Sequence, residues 1–332
     1  MAVVRTNLQW GILVAFLLLL FALPLFLPAE YIYLAIYISV GIIAALGLNI
    51  LTGFCGQISI GQAAFMGVGA FSAGILISRF QIPFWFAVPI AGITAGLVGL
   101  FFGIPSLRVK GLYLALATLA AQFIIHFVLV HFFGGDTGVH VKPPSLGPLV
   151  FATDRSFYYI ALVSVILFTF LAKNIVRTRV GRAFIAIRDN DIAAEVMGID
   201  IFRYKLLAFF IGCFFAGVAG ALWATYMGLA SVEHYTLLES VWLLGMIVVG
   251  GMGSIAGTIF GVVFIRVVEY LTQLVAPTLG TMVPALSGNL LSALEILVFS
   301  LIILLFLIFE PRGLAHRWEI FKASYRLHPW AH

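Results

Sequence analysis

The sequence predicts an all-α protein, a polytopic bundle of about eight to ten transmembrane helices with both termini on the cytoplasmic side. Two observations predict this fold class. Hydrophobic residues make up 63% of the 332 residues and charged residues only 9%, whereas a soluble domain carries about 25% charged residues. Separate apolar runs then approach the roughly 20 residues that a helix needs to cross a bilayer. The composition excludes a soluble enzyme, and residues 1–332 are expected to form one membrane domain.

The apolar runs are interpreted in order as ten spans. The first follows a short segment that contains Arg5, but no Ala-x-Ala cleavage pattern comes after it, so we interpret it as a retained span rather than a secretory signal. The predicted spans are residues 10–27, 31–51, 63–78, 84–104, 111–130, 157–172, 206–229, 236–251, 255–275 and 290–309. An alternative with about eight spans, in which two of the shorter runs enter and leave on one side, keeps the same parity.

Basic residues predict the orientation of the bundle through the positive-inside rule. With the N-terminus in the cytoplasm, 14 of the 18 Lys and Arg residues fall on the cytoplasmic side and three on the other, while Arg266 lies within a span. The formal net charge of +5 therefore follows membrane topology, and a nucleic-acid partner is not needed to explain it.

Glycines recur four residues apart within the apolar runs, as at Gly92 and Gly96 or at Gly99 and Gly103. Small residues at this spacing allow helix backbones to approach closely in lipid, where burial alone does not drive helices together. Most of the 33 glycines are therefore interpreted as packing surface.

Two segments, residues 53–74 and 245–257, hold more glycine than packing requires and place it beside polar side chains. Irregular backbone at membrane depth is tolerated where protein buries it or where it lines an aqueous cavity. A pair of glycine-interrupted runs in the two halves of a chain is typical of a transport pathway. Tight turns at the membrane surface, with solvated glutamines, are the alternative. The candidate residues of a translocation path are Gln57, Ser59, Gln62, Gly250, Gly251 and Gly253.

The most informative polar stretch is residues 173–205, which carries seven basic and four acidic residues. It is predicted to form two short helices, the first after Gly181 and the second over residues 192–197. The Asp-Asn-Asp run at 189–191 provides N-cap side chains for the second helix, and Gly198 stands where a left-handed residue ends a helix. Its small, apolar face predicts docking to another protein, whereas a loop anchored on lipid headgroups is the alternative.

This stretch is similar to the cytoplasmic coupling loop, the EAA loop, of permease subunits in binding-protein-dependent ABC importers. Ala193 and Ala194 fill the two alanine positions of that pattern and Gly198 fills its glycine, while Ile192 stands where the pattern has glutamate. The resemblance implies an ATPase-coupling loop whose docking surface and flanking contacts comprise Gly181, Arg182, Ala193, Ala194, Glu195 and Gly198.

Further segments along the chain carry a narrower resemblance. They are LGLNILTGFCGQISIGQAAFMGVGAF at 46–71, GLYLALATLA at 111–120, GGDTG at 134–138, GRAFIAIRDNDIAAEVMGIDIFRYKLLAF at 181–209, VVGGMGSIAG at 248–257 and FEPRGL at 309–314. In this order they resemble the LivM-type permease of branched-chain amino acid importers. The resemblance implies half of a translocation pathway for leucine, isoleucine and valine, with urea or short amides as the alternative cargo.

The same resemblance implies a multi-pass protein of the bacterial inner membrane, surrounded by lipid, with several partners. They are a homologous permease subunit, two cytoplasmic ATP-binding subunits and a periplasmic amino-acid-binding protein. The chain itself is expected to be non-catalytic, because its sequence contains no GxxxxGK[ST] phosphate loop. No cofactor and no metal site are expected.

Ionisable residues within the spans bear on an alternative from another class, a secondary transporter or channel that works without an ATPase. Such a protein needs buried acids to couple a gradient, and Glu269 and Glu295 make a poor set for that purpose. Arg266 lies three residues before Glu269, so the two are expected to pair on one helix face. This pair is open to a functional and to a purely structural interpretation.

Overall fold

The computed structural model describes residues 7–106, 111–134, 137–146, 149–282, 290–310 and 312–327. Over these residues the chain is a bundle of thirteen α-helices with four two-residue strands. The helices are α1 (Asn7–Phe26), α2 (Ala29–Leu48), α3 (Gln62–Ser78), α4 (Phe84–Ser106), α5 (Leu112–Phe132), α6 (Asp154–Arg177), α7 (Arg179–Asp189), α8 (Asp191–Val196), α9 (Ile201–Met227), α10 (Leu237–Gly250), α11 (Ile255–Met282), α12 (Leu290–Phe309) and α13 (Gly313–Leu327).

Each of the ten predicted spans coincides with a helix, in order α1 to α6 and α9 to α12, which confirms the all-α fold class. Six helices in the described ranges are long and apolar enough to cross a membrane, or seven if α12 and α13, which are bent by 46° at their break, form one span. This count covers only the described residues and leaves out shorter apolar helices, among them α3 and α10, which have 17 and 14 residues. The orientation of the termini stays a prediction.

Helix α9 forms the centre of the bundle, where it packs against α2, α3 and α4. A Cβ atom on Gly217 would lie 2.9 Å from the carbonyl oxygen of Ala91 in α4, and one on Gly220 would collide with the backbone of Met66 in α3. The predicted glycines of α4 lie against side chains of α9, for example Gly99 against Cys213. The packing interpretation of these glycines is confirmed, because the helices approach to backbone distance only where side chains are missing.

Helix α2 does not end in an ordinary cap but widens into a π-helical turn over Asn49–Phe54. The chain from Cys55 to Gly61 then lacks regular structure until α3 begins at Gln62. Turns with this wide hydrogen-bond pattern are rare and are concentrated at functional sites. All six residues of the turn are buried, so the irregular backbone is enclosed by protein.

The two ends of the bundle differ in structure. The loop end carries α7 and α8, which stand between the last residue of α6, Arg177, and the first of α9, Ile201. This confirms the two-helix prediction, although α7 begins at Arg179 rather than after Gly181. The hairpin end carries β1 (Val139–His140) paired antiparallel with β4 (Leu229–Ala230), and β2 (Ser145–Leu146) paired with β3 (Leu149–Val150).

The contact between α9 and α4 generates a stability prediction. We expect Gly217→Val to lower the free energy of unfolding by about 3 kcal/mol or more, because the added side chain meets the backbone of α4. Reversible unfolding of the purified chain by sodium dodecyl sulfate measures the change. The control is Gly11→Val, since a Cβ there has no neighbour within 4 Å. Equal stability of the two variants would contradict the packing argument.

Candidate functional site

The two glycine-rich segments meet at the side chain of Asn49, in the π-helical turn. The Asn49 amide Nδ2 donates to the Ser254 carbonyl at 3.1 Å and to the Thr258 hydroxyl at 2.7 Å, and its Oδ1 accepts from the Gly253 amide at 2.9 Å. A side chain on Gly53 would overlap Asn49 and approach the Gly253 amide nitrogen. The first half of the chain is thereby joined to the second, and we call this contact the Asn49 junction.

Glycine is required on both sides of the junction. Gly253 has a φ of +76° and Gly251 has a φ of +110°. Residues that carry a Cβ atom rarely adopt such positive φ angles. Gly250 packs its Cα on the backbone of Gly257 in α11. On the far side, a Cβ on Gly251 would lie 3.0 Å from the carbonyl oxygen of Arg312, just before α13. The three candidate glycines therefore form a tight turn between α10 and α11.

Arg188, the penultimate residue of α7, connects the loop end to this junction. Its guanidinium Nη1 donates to the carbonyl of Gly53 at 3.0 Å, and a Cβ on Gly253 would lie 2.9 Å from the same nitrogen. The other side of the guanidinium pairs with Asp189 at 2.9 Å. One side chain thus contacts both glycine-rich segments, although Gly53 lies 135 residues before Arg188 in the sequence.

The polar candidates of the first glycine-rich segment, Gln57, Ser59 and Gln62, are enclosed by protein rather than solvated. Gln57 donates to the carbonyl of Lys205 at 3.1 Å, and Gln62 donates to the carbonyls of Ala44 at 3.3 Å and Gly212 at 3.1 Å. Ser59 accepts a long hydrogen bond from the backbone of this segment. In this conformation their side chains join helices, and the Oε1 atoms of both glutamines have no hydrogen-bond partner.

The first turn of α3 begins inside the protein and depends on side chains from other helices. The amide of Ala63 donates to the hydroxyl of Ser240 at 2.9 Å, and the amide of Ala64 donates to Gln122 Oε1, also at 2.9 Å. Ser240 in turn donates to the same Gln122 oxygen at 3.1 Å. These bonds satisfy amides that a helix N-terminus leaves free. Neither Ser240 nor Gln122 was among the residues that sequence reasoning selected.

Helix α8 has the caps that the sequence predicts. The side chain of Asn190 accepts from the amide of Ala193 at 3.0 Å, and Gly198 follows the helix with a φ of +83°. Its apolar side chains point away from the bundle: Ile192 is 68% exposed, and Val196 and Met197 are each 82% exposed. The helix therefore presents an apolar face that no described part of the chain covers.

The predicted residues of the coupling loop do not all share that face. Ala193, Glu195 and Arg182 are exposed, whereas Ala194 is only 4% exposed and packs within the apolar core. Gly181 lies buried in α7, where a Cβ would collide with the backbone of α6. Ala194 and Gly181 therefore hold the loop onto the bundle, and we assign neither of them to a docking surface.

At the hairpin end, the structure enlarges the predicted pair of Arg266 and Glu269. The two groups do pair, with 2.8 Å between Arg266 Nη1 and Glu269 Oε2. The guanidinium also pairs with Glu239 from α10 and donates to the hydroxyl of Tyr37 from α2. Sequence reasoning missed Glu239, although it lies within a predicted span, because its partner is 27 residues away. The side chain of Glu295 lies outside the described residues.

Comparison with known proteins identifies relatives. Residues 31–308 match the family described as branched-chain amino acid transport system / permease component. The high-affinity branched-chain amino acid transport system permease protein LivM of Escherichia coli K12 is 34% identical over 269 residues, which cover 73% of this chain and 63% of that protein. The chain thus spans less than two thirds of this relative's length.

Two further relatives are permease proteins of a branched-chain amino acid transport system and of a different import system. The probable branched-chain amino acid transport permease protein LivM of Methanocaldococcus jannaschii is 23% identical over 315 residues. The matched residues cover 82% of this chain and 89% of that protein. The autoinducer 2 import system permease protein LsrC of Escherichia coli O9:H4 is 26% identical, and the matched residues cover 76% of this chain and 75% of that protein. No solved structure matches the chain significantly.

The Asn49 junction generates a second prediction. Asn49→Ala is expected to lower the free energy of unfolding by about 2 kcal/mol, because it leaves the half-buried Gly253 amide without its partner and removes the bonds from Asn49 to Ser254 and Thr258. Asn190→Ala removes an exposed cap of the same residue type and should cost about 1 kcal/mol. Detergent unfolding of both purified variants measures the difference. A smaller loss for Asn49→Ala than for Asn190→Ala would contradict the junction's structural role.

Proposed function

Because this chain belongs to the branched-chain amino acid transport system permease family, we propose that it is the permease subunit of an ATP-binding-cassette importer. It forms half of the translocation pathway for branched-chain amino acids, and a homologous permease subunit forms the other half. Two ATP-binding subunits bind it from the cytoplasm, and a periplasmic protein delivers the amino acid at the opposite face of a bacterial inner membrane. ATP is hydrolysed on the partner chains.

The exposed apolar face of α8 is the observation that carries this proposal. Ile192, Val196 and Met197 lie on a short, capped helix beyond the last residue of α6, at the end of the bundle that carries most of the basic charge. Exposed apolar side chains of this kind mark protein contact sites when polar residues surround them. The apolar face of α8 is small, and it suits insertion into a groove of an ATP-binding subunit.

The contacts behind α8 support a route by which docking changes the pathway. Helix α8 follows α7 directly, and Arg188 near the end of α7 bonds to Gly53 at the Asn49 junction. A cavity of about 360 Å³ separates the loop from the irregular segment at Cys55–Gln57 and is lined by Arg188, Asn190 and Lys205. A shift of α8 toward the bundle has room to close this cavity and to move both glycine-rich turns together.

Co-purification and uptake test the proposal as a whole. The tagged chain, isolated gently from its native membrane, is expected to carry ATP-binding subunits and a second permease, and the reconstituted assembly should import L-leucine only with ATP and its binding protein. Uptake driven by an ion gradient in the absence of any ATPase would instead establish a secondary transporter. Uptake of urea or a short amide without leucine would retain the importer and change its cargo.

The docking face generates a third prediction. Val196→Asp should reduce co-purified ATP-binding subunit and ATP-dependent uptake at least about tenfold, because a carboxylate loses its water in an apolar groove. Membrane abundance should stay unchanged, since the side chain is 82% exposed in the free chain. Val150→Asp, at the hairpin end and 58% exposed, is the matched control and should keep the ATP-binding subunit bound. Full retention in Val196→Asp would return the loop to a lipid-anchoring role.

The Arg188 connection generates a fourth prediction, which separates binding from transmission. Arg188→Gln removes the bond to Gly53 but leaves α8 exposed, so the ATP-binding subunits should stay bound while leucine uptake per ATP hydrolysed falls at least about fivefold. Arg203→Gln is the control, because the side chain of Arg203 is 84% exposed and pairs with Asp200, three residues away. Normal coupling in Arg188→Gln would exclude this route.

A further inference from the structure

Two adjoining cavities of about 230 and 170 Å³ lie toward the hairpin end, between α2, α9, α10 and α11. Both are lined by Tyr37, Trp223, His234, Arg266 and Glu269. They are separate from the Asn49 junction and from the coupling loop, whose residues line neither of them. Their walls combine ring faces with charged groups, which is the usual composition of a small-molecule site.

The accessible charge in these cavities is negative. Arg266 is only 2% exposed, whereas the side chains of its partners Glu239 and Glu269 are 19% and 14% exposed. Glu233 lines the larger cavity as well, and Arg266 is the one Lys or Arg among the described residues that line either cavity. One guanidinium therefore faces several carboxylates, and a ligand that enters meets carboxylate oxygens first. Such a site favours a positively charged group.

Aromatic rings complete the wall beside the carboxylates. The rings of Tyr37 and Trp223 lie 5.1 Å apart, those of Tyr33 and Tyr37 lie 6.2 Å apart, and that of His234 lies 6.2 Å from Trp223. Ring faces attract cations through their quadrupole, and the attraction grows where water is excluded. The guanidinium of Arg266 already lies over the Tyr37 ring, with its Cζ 3.8 Å from the ring centroid. The ring of Trp223 therefore joins the carboxylates in selecting an ammonium.

One buried donor remains without a partner. The Nε of Arg266 has no hydrogen-bond partner although the residue is almost completely buried. Gly41 lines the same cavity and faces this nitrogen, since a Cβ added at Gly41 would lie 3.7 Å from it. A buried guanidinium N–H without a partner is costly, and an anionic oxygen that reaches it forms a strong, charge-assisted hydrogen bond.

We propose that this cavity binds the zwitterionic head of an α-amino acid, with the ammonium at Glu239, Glu269 and the Trp223 ring, and with the carboxylate at the Nε of Arg266, which a small shift of the guanidinium opens to the ligand. The inference rests on the proposed function, since it places the cargo's head group within this chain. It adds a site that distinguishes an amino acid from a neutral amide, because a neutral amide lacks the charges that both halves of the site require.

The test measures equilibrium binding of radiolabelled L-leucine to the purified full chain in nanodiscs of phosphatidylglycerol, a lipid without an ammonium group. Competitors are 3-methylbutylamine, which lacks the carboxylate, and 4-methylpentanoate, which lacks the ammonium. We expect the amine to displace leucine at a concentration at least about tenfold lower than 4-methylpentanoate does, because the accessible groups are acidic. Equal displacement by the two competitors, or none by the amine, would overturn the assignment.

Single substitutions locate the site. Glu239→Gln should weaken leucine binding at least about tenfold, whereas Glu239→Asp, which keeps the charge, should recover most of it. Glu269→Gln is a second variant in case the first is unstable, because Arg266 then keeps Glu239 as its partner. Glu310→Gln is the matched control, since Glu310 also pairs with an arginine, Arg317, but lines neither cavity. Unchanged affinity in both glutamine variants of the site would refute the inference.

Uptake by the complete importer separates this inference from the proposed function. If the wild-type importer takes up leucine and the Glu239→Gln importer does so equally well, the function stands and the head-group site is wrong. If the wild-type importer takes up no leucine while the isolated chain binds it through Glu239, the site stands and the assigned cargo or assembly is wrong.

Discussion

The structure depends on the requirement that every backbone amide and carbonyl at membrane depth has a partner. Two of the helix breaks, the one after α2 and the one between α10 and α11, face each other, and the side chain of Asn49 at the first break supplies partners for groups at the second. Its amide group donates to Ser254 and Thr258 and accepts from Gly253. An apolar side chain at this position has no means of pairing with these groups, so the contact between the two breaks depends on the amide of Asn49.

The junction also fixes the relative position of α2 and α11, which meet a second time at the opposite end. Tyr37 lies twelve residues before Asn49 in α2, about 18 Å along the helix, and contacts Arg266, which lies eight residues after Thr258 in α11. These two helices therefore connect the Asn49 junction, which Arg188 reaches from the coupling loop, with the cluster that lines the two cavities at the hairpin end. In our proposal, this shared pair of helices links the docking of an ATP-binding subunit to the groups that bind the cargo.

Sequence reasoning found the site residues that share a local pattern and missed those defined by long-range contacts. Asn190 and Gly198 were found because capping is decided within a few residues. Asn49, Arg188 and Glu239 were missed, because each acts through partners far away in the chain and none carries a distinctive neighbourhood. The sequence also does not predict which side of a helix is buried. Ala194 occupies a motif position, yet only the packing of α8 on the core decides that its side chain points inward.

The sequence by itself determined the all-α membrane fold, the places of the ten apolar helices, the two-helix loop and the family to which the chain belongs. Each of these follows from composition, from periodicity or from contiguous motifs. Only the tertiary structure decided which apolar runs are continuous, how the two glycine-rich segments pair and which carboxylates surround Arg266. The physical reason is that hydrogen-bond satisfaction in a low-dielectric interior is a property of groups brought together by folding, whereas hydropathy is a property of each segment alone.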